Sequence, residues 1–439
     1  MDYLVMIGQL ILSLSILIVL HEMGHFLPAK LFGTRVEKFY LFFDPWFSLF
    51  KFKKGETEYG IGWLPLGGYV KISGMIDESM DIEQMKEPPQ PWEFRSKPAW
   101  QRLIIMLGGV TVNFILGFLI YAMVLFVWGE EYYPTENVKE GIYADSLGMM
   151  MGLQDGDHII SVGDMVFDKF NEGLVKREII INSANVMRIK RDGREQDLPI
   201  DEKFIGILTD SKNKGKALFG PRIPFIIEDF AKNSAAKEAG IEKGDWLIAV
   251  NDQEMPYFYQ YRRTLGDYKG QEIKVKALRN QRDTLDFQVK LNEKGQLGAY
   301  VTPIETRRDK YTLAQAIPAG TRKGWMLLTD QIKAFGQMFK GKIKASESLG
   351  GFGTIGKMFG FEWRWENFWK MTAIISLILA FMNLLPIPAL DGGHVMFLLY
   401  EIVTGRKPSD KFMEYATIIG FVLVISLVVY ANVLDFIRG

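Results

Sequence analysis

The sequence predicts a polytopic α-helical membrane protein with four transmembrane helices, a membrane-associated β-hairpin and two copies of an extracytoplasmic α/β domain. Four nearly charge-free segments predict the helices, because about 20 apolar residues span the hydrocarbon core of a bilayer. A Gly-rich, strand-like stretch after the first segment predicts the hairpin, and a self-similar pattern between the second and third segments predicts the paired domains. The four apolar segments are residues 3–20, 103–128, 371–385 and 415–434.

Composition narrows the classes of function. The 439 residues are 48% hydrophobic and have a formal net charge of zero, with no cysteine. This balance indicates neither a nucleic-acid-binding surface nor an acidic tail. Without cysteine, disulfides and thiolate-bound metal are excluded, and His, Asp and Glu are the available metal ligands. The first apolar segment lacks a basic n-region and a small-residue cleavage site, so we expect a retained helix and not a signal peptide.

Basic residues in the short loops predict the orientation of the helices. Lysine and arginine are frequent in residues 28–101 and again in residues 401–412, and such loops stay in the cytoplasm by the positive-inside rule. With four spans, both termini and the paired domains then lie outside the cytoplasm. The end of the first helix is therefore expected near the cytoplasmic face.

A metal-binding pattern closes the first apolar segment. In the sequence His21-Glu22-Met23-Gly24-His25, two histidines four residues apart share one face of a helix and can bind one Zn²⁺. Glu22 lies near enough to act as general base on a zinc-bound water. The alternative is a chance pattern whose imidazoles only reach for water at the membrane boundary. The cost of ionisable groups at membrane depth favours the functional interpretation.

The Gly-rich stretch that follows predicts a β-hairpin. Residues 58–64 and 69–72 have strand-like patterns, with a break at residues 65–68, and they are interpreted as the two arms. Gly67, Gly68 and Tyr69 could then offer a strand edge to an extended peptide beside the metal site. The alternative is an ordinary cytoplasmic hairpin. The aromatic run before it, residues 39–50, in which only Asp44 is charged, is typical of the membrane interface.

The second apolar segment contains a patch of small residues and one amide. Gly108, Gly109 and Asn113 lie in this otherwise apolar helix. Such a pattern favours close helix packing with an interhelical hydrogen bond. A contact between Asn113 and substrate is the second alternative.

The region between the second and third segments contains an internal repeat, residues 143–163 and 233–251. Each copy is interpreted as a short helix, a tight Gly-Asp turn and a buried strand. The pattern resembles bacterial PDZ domains, and the second copy is the cleaner match. Helical spacing in residues 325–339 then predicts an amphipathic helix. The Gly-rich residues 350–356 are compatible with a hinge or with a contact role.

The third apolar segment ends in Asn383-Leu384-Leu385-Pro386-Ile387-Pro388-Ala389-Leu390-Asp391-Gly392-Gly393-His394. The two prolines must interrupt the helix, and broken backbone at membrane depth is tolerated only against protein or a water-filled cavity. Asp391 is the missing ligand of a His₂Asp site whose open fourth position holds water. His394 competes for direct ligation, but we prefer it as a neighbour of the site at the start of a helix.

In combination, these motifs resemble the intramembrane site-2 metalloprotease family over essentially the whole chain. The two PDZ-like copies place the sequence beside the bacterial regulator-of-sigma-E proteases. The resemblance implies one zinc per chain, held by His21, His25 and Asp391, with Glu22 as the catalytic base. It also implies that Asn383 contacts substrate and that a hairpin at about residues 54–72 is embedded in the membrane. One departure is that valine follows Gly109 where the family has proline.

The expected activity is hydrolysis of peptide bonds within or next to transmembrane segments, for example in anti-sigma factors or signal-peptide remnants. The expected partners are the lipid bilayer and transmembrane substrates whose ectodomains have been trimmed, with no nucleic acid. The expected location is the bacterial cytoplasmic (inner) membrane, with the PDZ-like copies controlling access from outside the cytoplasm. The alternative is a PDZ scaffold without catalytic activity that recruits membrane partners. The presence of Glu22 argues against this alternative. A zinc transporter is disfavoured because no continuous polar path is present.

The predicted domains follow one another along the chain. They are residues 1–27 (first transmembrane helix), 28–100 (cytoplasmic region with the hairpin), 101–128 (second helix), 129–220 and 221–305 (first and second PDZ-like domains), 306–366 (amphipathic helix and Gly-rich linker), 367–400 (third helix), 401–412 (cytoplasmic loop) and 413–439 (fourth helix).

Overall fold

The computed structural model of the chain describes residues 2–75 and 88–438. The chain divides into two compact units. The first contains Met1–Gly129, Lys310–Ile332 and Ser348–Gly439, and the second contains Glu130–Asp309 and Lys333–Glu347.

Helices and strands are numbered in chain order. The helices are α1 (Asp2–Leu31), α2 (Ala99–Trp128), α3 (Ser146–Met151), α4 (Glu172–Ile180), α5 (Lys203–Thr209), α6 (Ala235–Glu238), α7 (Phe258–Thr264), α8 (Leu313–Phe339), α9 (Ala345–Ser348), α10 (Phe352–Phe359), α11 (Trp365–Asn383), α12 (Asp391–Thr404) and α13 (Asp410–Arg438). The strands are β1 (Val36–Lys54), β2 (Thr57–Ile72), β3 (Glu130–Tyr132), β4 (Ile142–Ala144), β5 (His158–Val162), β6 (Met165–Val166), β7 (Val186–Arg191), β8 (Arg194–Pro199), β9 (Phe219–Pro221), β10 (Ile227–Phe230), β11 (Trp246–Val250), β12 (Gln253–Glu254), β13 (Glu272–Arg279), β14 (Asp283–Lys290), β15 (Ala299–Val301) and β16 (Arg307–Asp309).

Three helices of the first unit are long and apolar enough to cross a membrane, among the residues described. They are Tyr3–Leu31 within α1, Ala99–Trp128, which is α2, and Lys411–Ile437 within α13. Three of the four predicted spans are therefore confirmed as membrane-compatible helices. The remaining predicted span falls in α11, whose first turns contain Glu366 and Lys370, and its crossing of the membrane stays a prediction.

Facing glycines bring the backbones of helices α1 and α2 into contact. A Cβ atom added to Gly24 would lie 2.6 Å from the carbonyl carbon of Gly108, and one added to Gly108 would overlap the carbonyl oxygen of Gly24. Only glycine fits at both positions, since the two backbones touch there. The predicted close packing at the small-residue patch is confirmed, and the contact lies within one turn of the two histidines.

The hairpin differs from its prediction. Strands β1 and β2 pair in antiparallel fashion across residues 36–72. Residues 58–61 and 68–71, which belong to the two predicted arms, pair with the same four residues of β1, 38–41, on its two sides. The predicted break at residues 65–68 therefore separates two paired segments of β2, but the prediction that the two arms pair with each other is wrong. The partner strand includes the aromatic run, residues 39–50.

The proline and glycines near residue 65 lie in the link between the two paired segments of β2. Pro65 lies between the pairs formed by Leu64 and Gly68, where the register shifts. Phe42 and Trp46 in β1 have φ angles of 68° and 71°, which mark a bulged backbone. Because Pro65 lies in the link and not in a paired segment, its missing N–H donor interrupts no ladder there.

The second unit contains two sheets with the same architecture. One has the strand order β6-β5-β7-β8 and the other β12-β11-β13-β14, and each repeat adds a two-stranded sheet, β4-β9 or β10-β15. Each repeat also has its own cluster of buried apolar side chains. The predicted internal repeat is therefore present in the fold, whereas its PDZ identity stays a prediction.

Each Gly-Asp turn is locked by an equivalent ion pair. Asp157 is fully buried and accepts two hydrogen bonds of 2.7 Å from Arg191. Asp245, 1% exposed, accepts hydrogen bonds of 2.8 and 2.7 Å from Arg279. Burial raises the pKa of Asp245, but these bonds, together with one from the Glu242 N–H, more than offset that effect and leave the pKa below its usual range.

The Gly-rich residues 350–356 contribute to an ordered helix. The main-chain N–H groups of Phe352 and Thr354, in the first turn of α10, donate to the side chains of Asn432 and Asp435 in α13, at 3.1 and 2.7 Å. These side chains satisfy amides that a helix start leaves without partners. Of the two interpretations open for this stretch, the structure favours the contact role.

Candidate active site

Helix α1 places two histidines on one face, as their spacing predicts. The Nε2 atoms of His21 and His25 lie 3.3 Å apart. Gly109 of α2 faces them, and a Cβ atom there would lie 2.6 Å from His21 Cε1 and 2.8 Å from His25 Cδ2. The second glycine of the patch thus leaves room for the two imidazoles.

Asp391 reaches the same point from the start of α12. Its Oδ2 atom lies 3.3 Å from His21 Nε2 and 3.5 Å from His25 Nε2. The helix break predicted at Pro386 and Pro388 is confirmed, because α11 ends at Asn383 and α12 begins at Asp391. Gly393 packs tightly against this turn, since a Cβ there would overlap the backbone of Pro388. The turn and its glycine therefore aim the carboxylate at the histidines.

The three side chains suit a metal ion. One ligand atom from each of His21, His25 and Asp391 lies within 4.8 Å of the others. The Oδ2 atom of Asp391 is buried and has no hydrogen-bond partner among the described residues, a costly arrangement unless the atom is coordinated. Two imidazole nitrogens and one carboxylate oxygen are a ligand set of catalytic zinc, with a fourth position open to water.

The orientation of His25 is fixed by α2. Its Nδ1 atom lies 2.8 Å from the carbonyl oxygen of Ile105, which is fully buried. A carbonyl only accepts, so Nδ1 must be the protonated nitrogen and Nε2 keeps its lone pair toward the cluster. This hydrogen bond is of the kind that orients metal-binding histidines.

A cavity of about 780 Å³ opens onto this cluster within the first unit. Glu22, the predicted base, and Asn383, the predicted substrate contact, both line it. The Nδ2 atom of Asn383 lies 3.4 Å from His21 Nε2. The far wall is apolar and comes from α13, with the side chains Phe421, Val424, Ile425 and Val428. The cavity can therefore present an apolar peptide segment to the cluster.

The hairpin forms another wall of this cavity. Gly68 and Tyr69 line it directly, whereas Gly67 lies against the ring of Phe43, itself a lining residue. Asp44 also lines the cavity and accepts a 2.8 Å hydrogen bond from the Tyr69 hydroxyl. Sequence reasoning gave Asp44 no role. Its signal was the isolated charge in an aromatic run.

Two further residues singled out from the sequence, His394 and Asn113, lie outside the group of three potential ligands. His394 lines the cavity but is outside the group of three potential ligands. Asn113 is 1% exposed and lies behind His21, with its Nδ2 atom 3.2 Å from His21 Nδ1.

Comparison with known proteins places the chain in a family. The model of peptidase family M50 matches residues 9–427. The chain belongs to peptidase family M50. The resemblance to site-2 metalloproteases is thereby confirmed, and with it the class of membrane zinc metalloproteases that act in regulated intramembrane proteolysis.

Curated relatives of the chain are similar over their full length. Regulator of sigma-E protease RseP of Escherichia coli is 28% identical, with 98% of each chain covered. Regulator of sigma E protease of Haemophilus influenzae is 26% identical, with 100% of each chain covered. Protease RseP of Yersinia pestis is also 26% identical over 100% of each chain.

Proposed function

We propose that this M50 protease cleaves peptide bonds within or next to transmembrane segments of other membrane proteins, in the bacterial cytoplasmic membrane. The observation that carries the proposal is the convergence of His21, His25 and Asp391 at the end of a membrane-compatible helix, on a cavity with apolar walls. Anti-sigma factors and signal-peptide remnants are the substrate classes we propose. The names of the relatives, regulators of sigma E, favour the first class.

The roles of the residues follow from their positions. His21, His25 and Asp391 would hold one Zn²⁺, which supplies Lewis-acid activation of the attacking water and the scissile carbonyl. Glu22 accepts the proton of the attacking water and passes it to the nitrogen of the leaving amine. The electrons of the broken C–N bond thus stay on the nitrogen of the leaving amine, which is protonated. The water oxygen becomes part of the new carboxyl group.

Substrate must unwind before it can react, because a transmembrane helix uses its carbonyls in its own hydrogen bonds. Segment 68–71 of β2 has one pairing partner among the residues described, residues 38–41 of β1. Its second edge, near Gly68 and Tyr69, could hold an unwound substrate strand by main-chain hydrogen bonds. Asn383, beside His21, would bond a freed backbone group of that strand.

The paired repeats would control which substrates enter. They are inserted between α2 and α11 in the chain, and by the positive-inside argument they lie outside the cytoplasm. From there they can sense a substrate's ectodomain and not its scissile bond. We therefore propose that the repeats select substrates and favour those whose ectodomains have been trimmed.

The test separates chemistry from metal binding. Purified Glu22→Gln protein should keep about one zinc per chain and its thermal stability, while cleavage of a transmembrane reporter falls by several orders of magnitude. Glu362→Gln, which removes an exposed charge outside the cavity, is the matched control and should cleave as wild type does. Cleavage by Glu22→Gln near the wild-type rate would contradict the assigned base.

A further inference from the structure

Asn113 presents a buried amide to the back of His21. Its side chain is 1% exposed, and its Nδ2 atom lies 3.2 Å from His21 Nδ1. The other amide atom, Oδ1, is buried and has no hydrogen-bond partner among the described residues. An unsatisfied buried acceptor in a membrane helix is costly, so this amide needs a physical explanation.

The chemistry of a metal-binding histidine supplies one. The nitrogen facing the metal must have a free lone pair, so the other nitrogen is protonated and needs an acceptor. His25 follows this rule, with Nδ1 donating to the Ile105 carbonyl at 2.8 Å. For His21, Nε2 faces the cluster, and the group at Nδ1 is the Asn113 amide.

The two ends of an asparagine amide have nearly the same size, and their assignment follows from hydrogen bonding. An NH₂ group facing a protonated Nδ1 would place two donors against each other. Turning the amide by 180° gives the His21 Nδ1–H an acceptor and gives Oδ1 a partner. The rotation thus replaces a contact between two donors by a hydrogen bond.

We infer that Asn113 is a positioning residue: its Oδ1 atom accepts the hydrogen bond from His21 Nδ1–H and holds His21 Nε2 toward the metal. The inference rests on the proposed function. It gives the interhelical hydrogen bond expected for Asn113 a specific role, support behind a ligand, and replaces the alternative of a substrate contact. Asn113 is not among the described residues that line the cavity.

The backbone of Asn113 is itself held in place. Its carbonyl oxygen accepts a 2.8 Å hydrogen bond from the hydroxyl of Ser376 in α11, and a second buried pair, Ser13 and Thr372 at 2.9 Å, joins α1 to α11. Ser13, Thr372 and Ser376 are each fully buried. These bonds tie α1, α2 and α11 together around His21, so the acceptor is rigidly placed.

The experiment measures zinc affinity by chelator competition in the Glu22→Gln parent, where turnover does not interfere. Asn113→Leu keeps the size but removes the acceptor, and it should bind zinc roughly 10- to 100-fold more weakly. Asn113→Asp keeps an acceptor and should stay within about threefold of the parent. Ser376→Ala removes only the bond that holds the Asn113 main chain and keeps the acceptor, so it should weaken zinc binding less than Asn113→Leu does.

Three results would overturn the assignment. The first is Asn113→Leu within about twofold of the parent. The second is an equal loss for Asn113→Leu and Asn113→Asp, which indicates a packing defect and not a lost acceptor. The third is a raised KM for a transmembrane reporter with zinc affinity unchanged, measured for Asn113→Leu in the protein that keeps Glu22. That result indicates a substrate contact. If the parent itself binds no zinc, the proposed function fails and this role fails with it.

Discussion

Replacing Gly109 by alanine should weaken zinc binding although all three predicted ligands are kept. The added Cβ atom would lie 2.6 Å from His21 Cε1 and 2.8 Å from His25 Cδ2, whereas carbon atoms in contact are at least about 3.5 Å apart. The rings would have to move by about 1 Å, far beyond the tolerance of about 0.2 Å in metal–ligand distances. We expect zinc binding at least roughly 10- to 100-fold weaker than in the wild type, measured by chelator competition.

Gly117 in the same helix supplies a matched control. A Cβ atom there would lie 2.6 and 2.7 Å from the side chain of Leu377, so Gly117→Ala is overpacked to a similar degree but away from the ligands. Both variants should lose about 1–3 kcal/mol of stability, and only Gly109→Ala should lose zinc. Wild-type zinc affinity in Gly109→Ala, or an equal loss in both variants, would refute the reasoning.

The remaining predictions concern the third ligand, acid stability and gating. Asp391→Ala should lose zinc while His394→Ala keeps it, measured by metal analysis; the reverse result would exchange their roles. Because the folded-state pKa of Asp245 is depressed, its stabilisation is complete above the usual value of about 3.9 and is lost as pH falls through the folded value. Hydrogen exchange of β11 and β13 in the full chain should therefore quicken below about pH 4, after correction for intrinsic rates. In Asp245→Asn these strands should be less protected from exchange at pH 7 and should lose less protection on acidification. An acid response identical to that of the wild type would contradict the linkage. Replacing residues 142–301 by a flexible linker should leave zinc bound and relax discrimination between full-length and ectodomain-trimmed substrates; an unchanged rate ratio would argue against gating.

Local patterns in the sequence were sufficient for much of this site. The two histidines have helical spacing at the end of an apolar run, and the helix that this predicts is α1. Asp391 follows two prolines that must break a helix, and the break occurs between α11 and α12. In both cases the deciding information lies within one or two turns of the chain.

Long-range pairing was out of reach. Pro65 and the neighbouring glycines are typical of a turn, but the sequence did not show that the segments on their two sides, 58–61 and 68–71, both pair with residues 38–41 of β1. The sequence also left Asn113 between packing and substrate contact, because its neighbour His21 is 92 residues away. Asp44 lines the cavity and accepts a hydrogen bond from Tyr69 across the hairpin, a contact between residues 25 positions apart in sequence.

The central claim is that this chain cuts other proteins within or next to their transmembrane segments. It is tested most directly by mass spectrometry of membrane proteins from cells that contain either the wild-type chain or Glu22→Gln. Wild-type cells should contain fragments whose new termini fall in or beside transmembrane segments, and in Glu22→Gln cells the uncleaved precursors should accumulate. New termini confined to soluble domains, or identical fragments in both cell populations, would contradict the account.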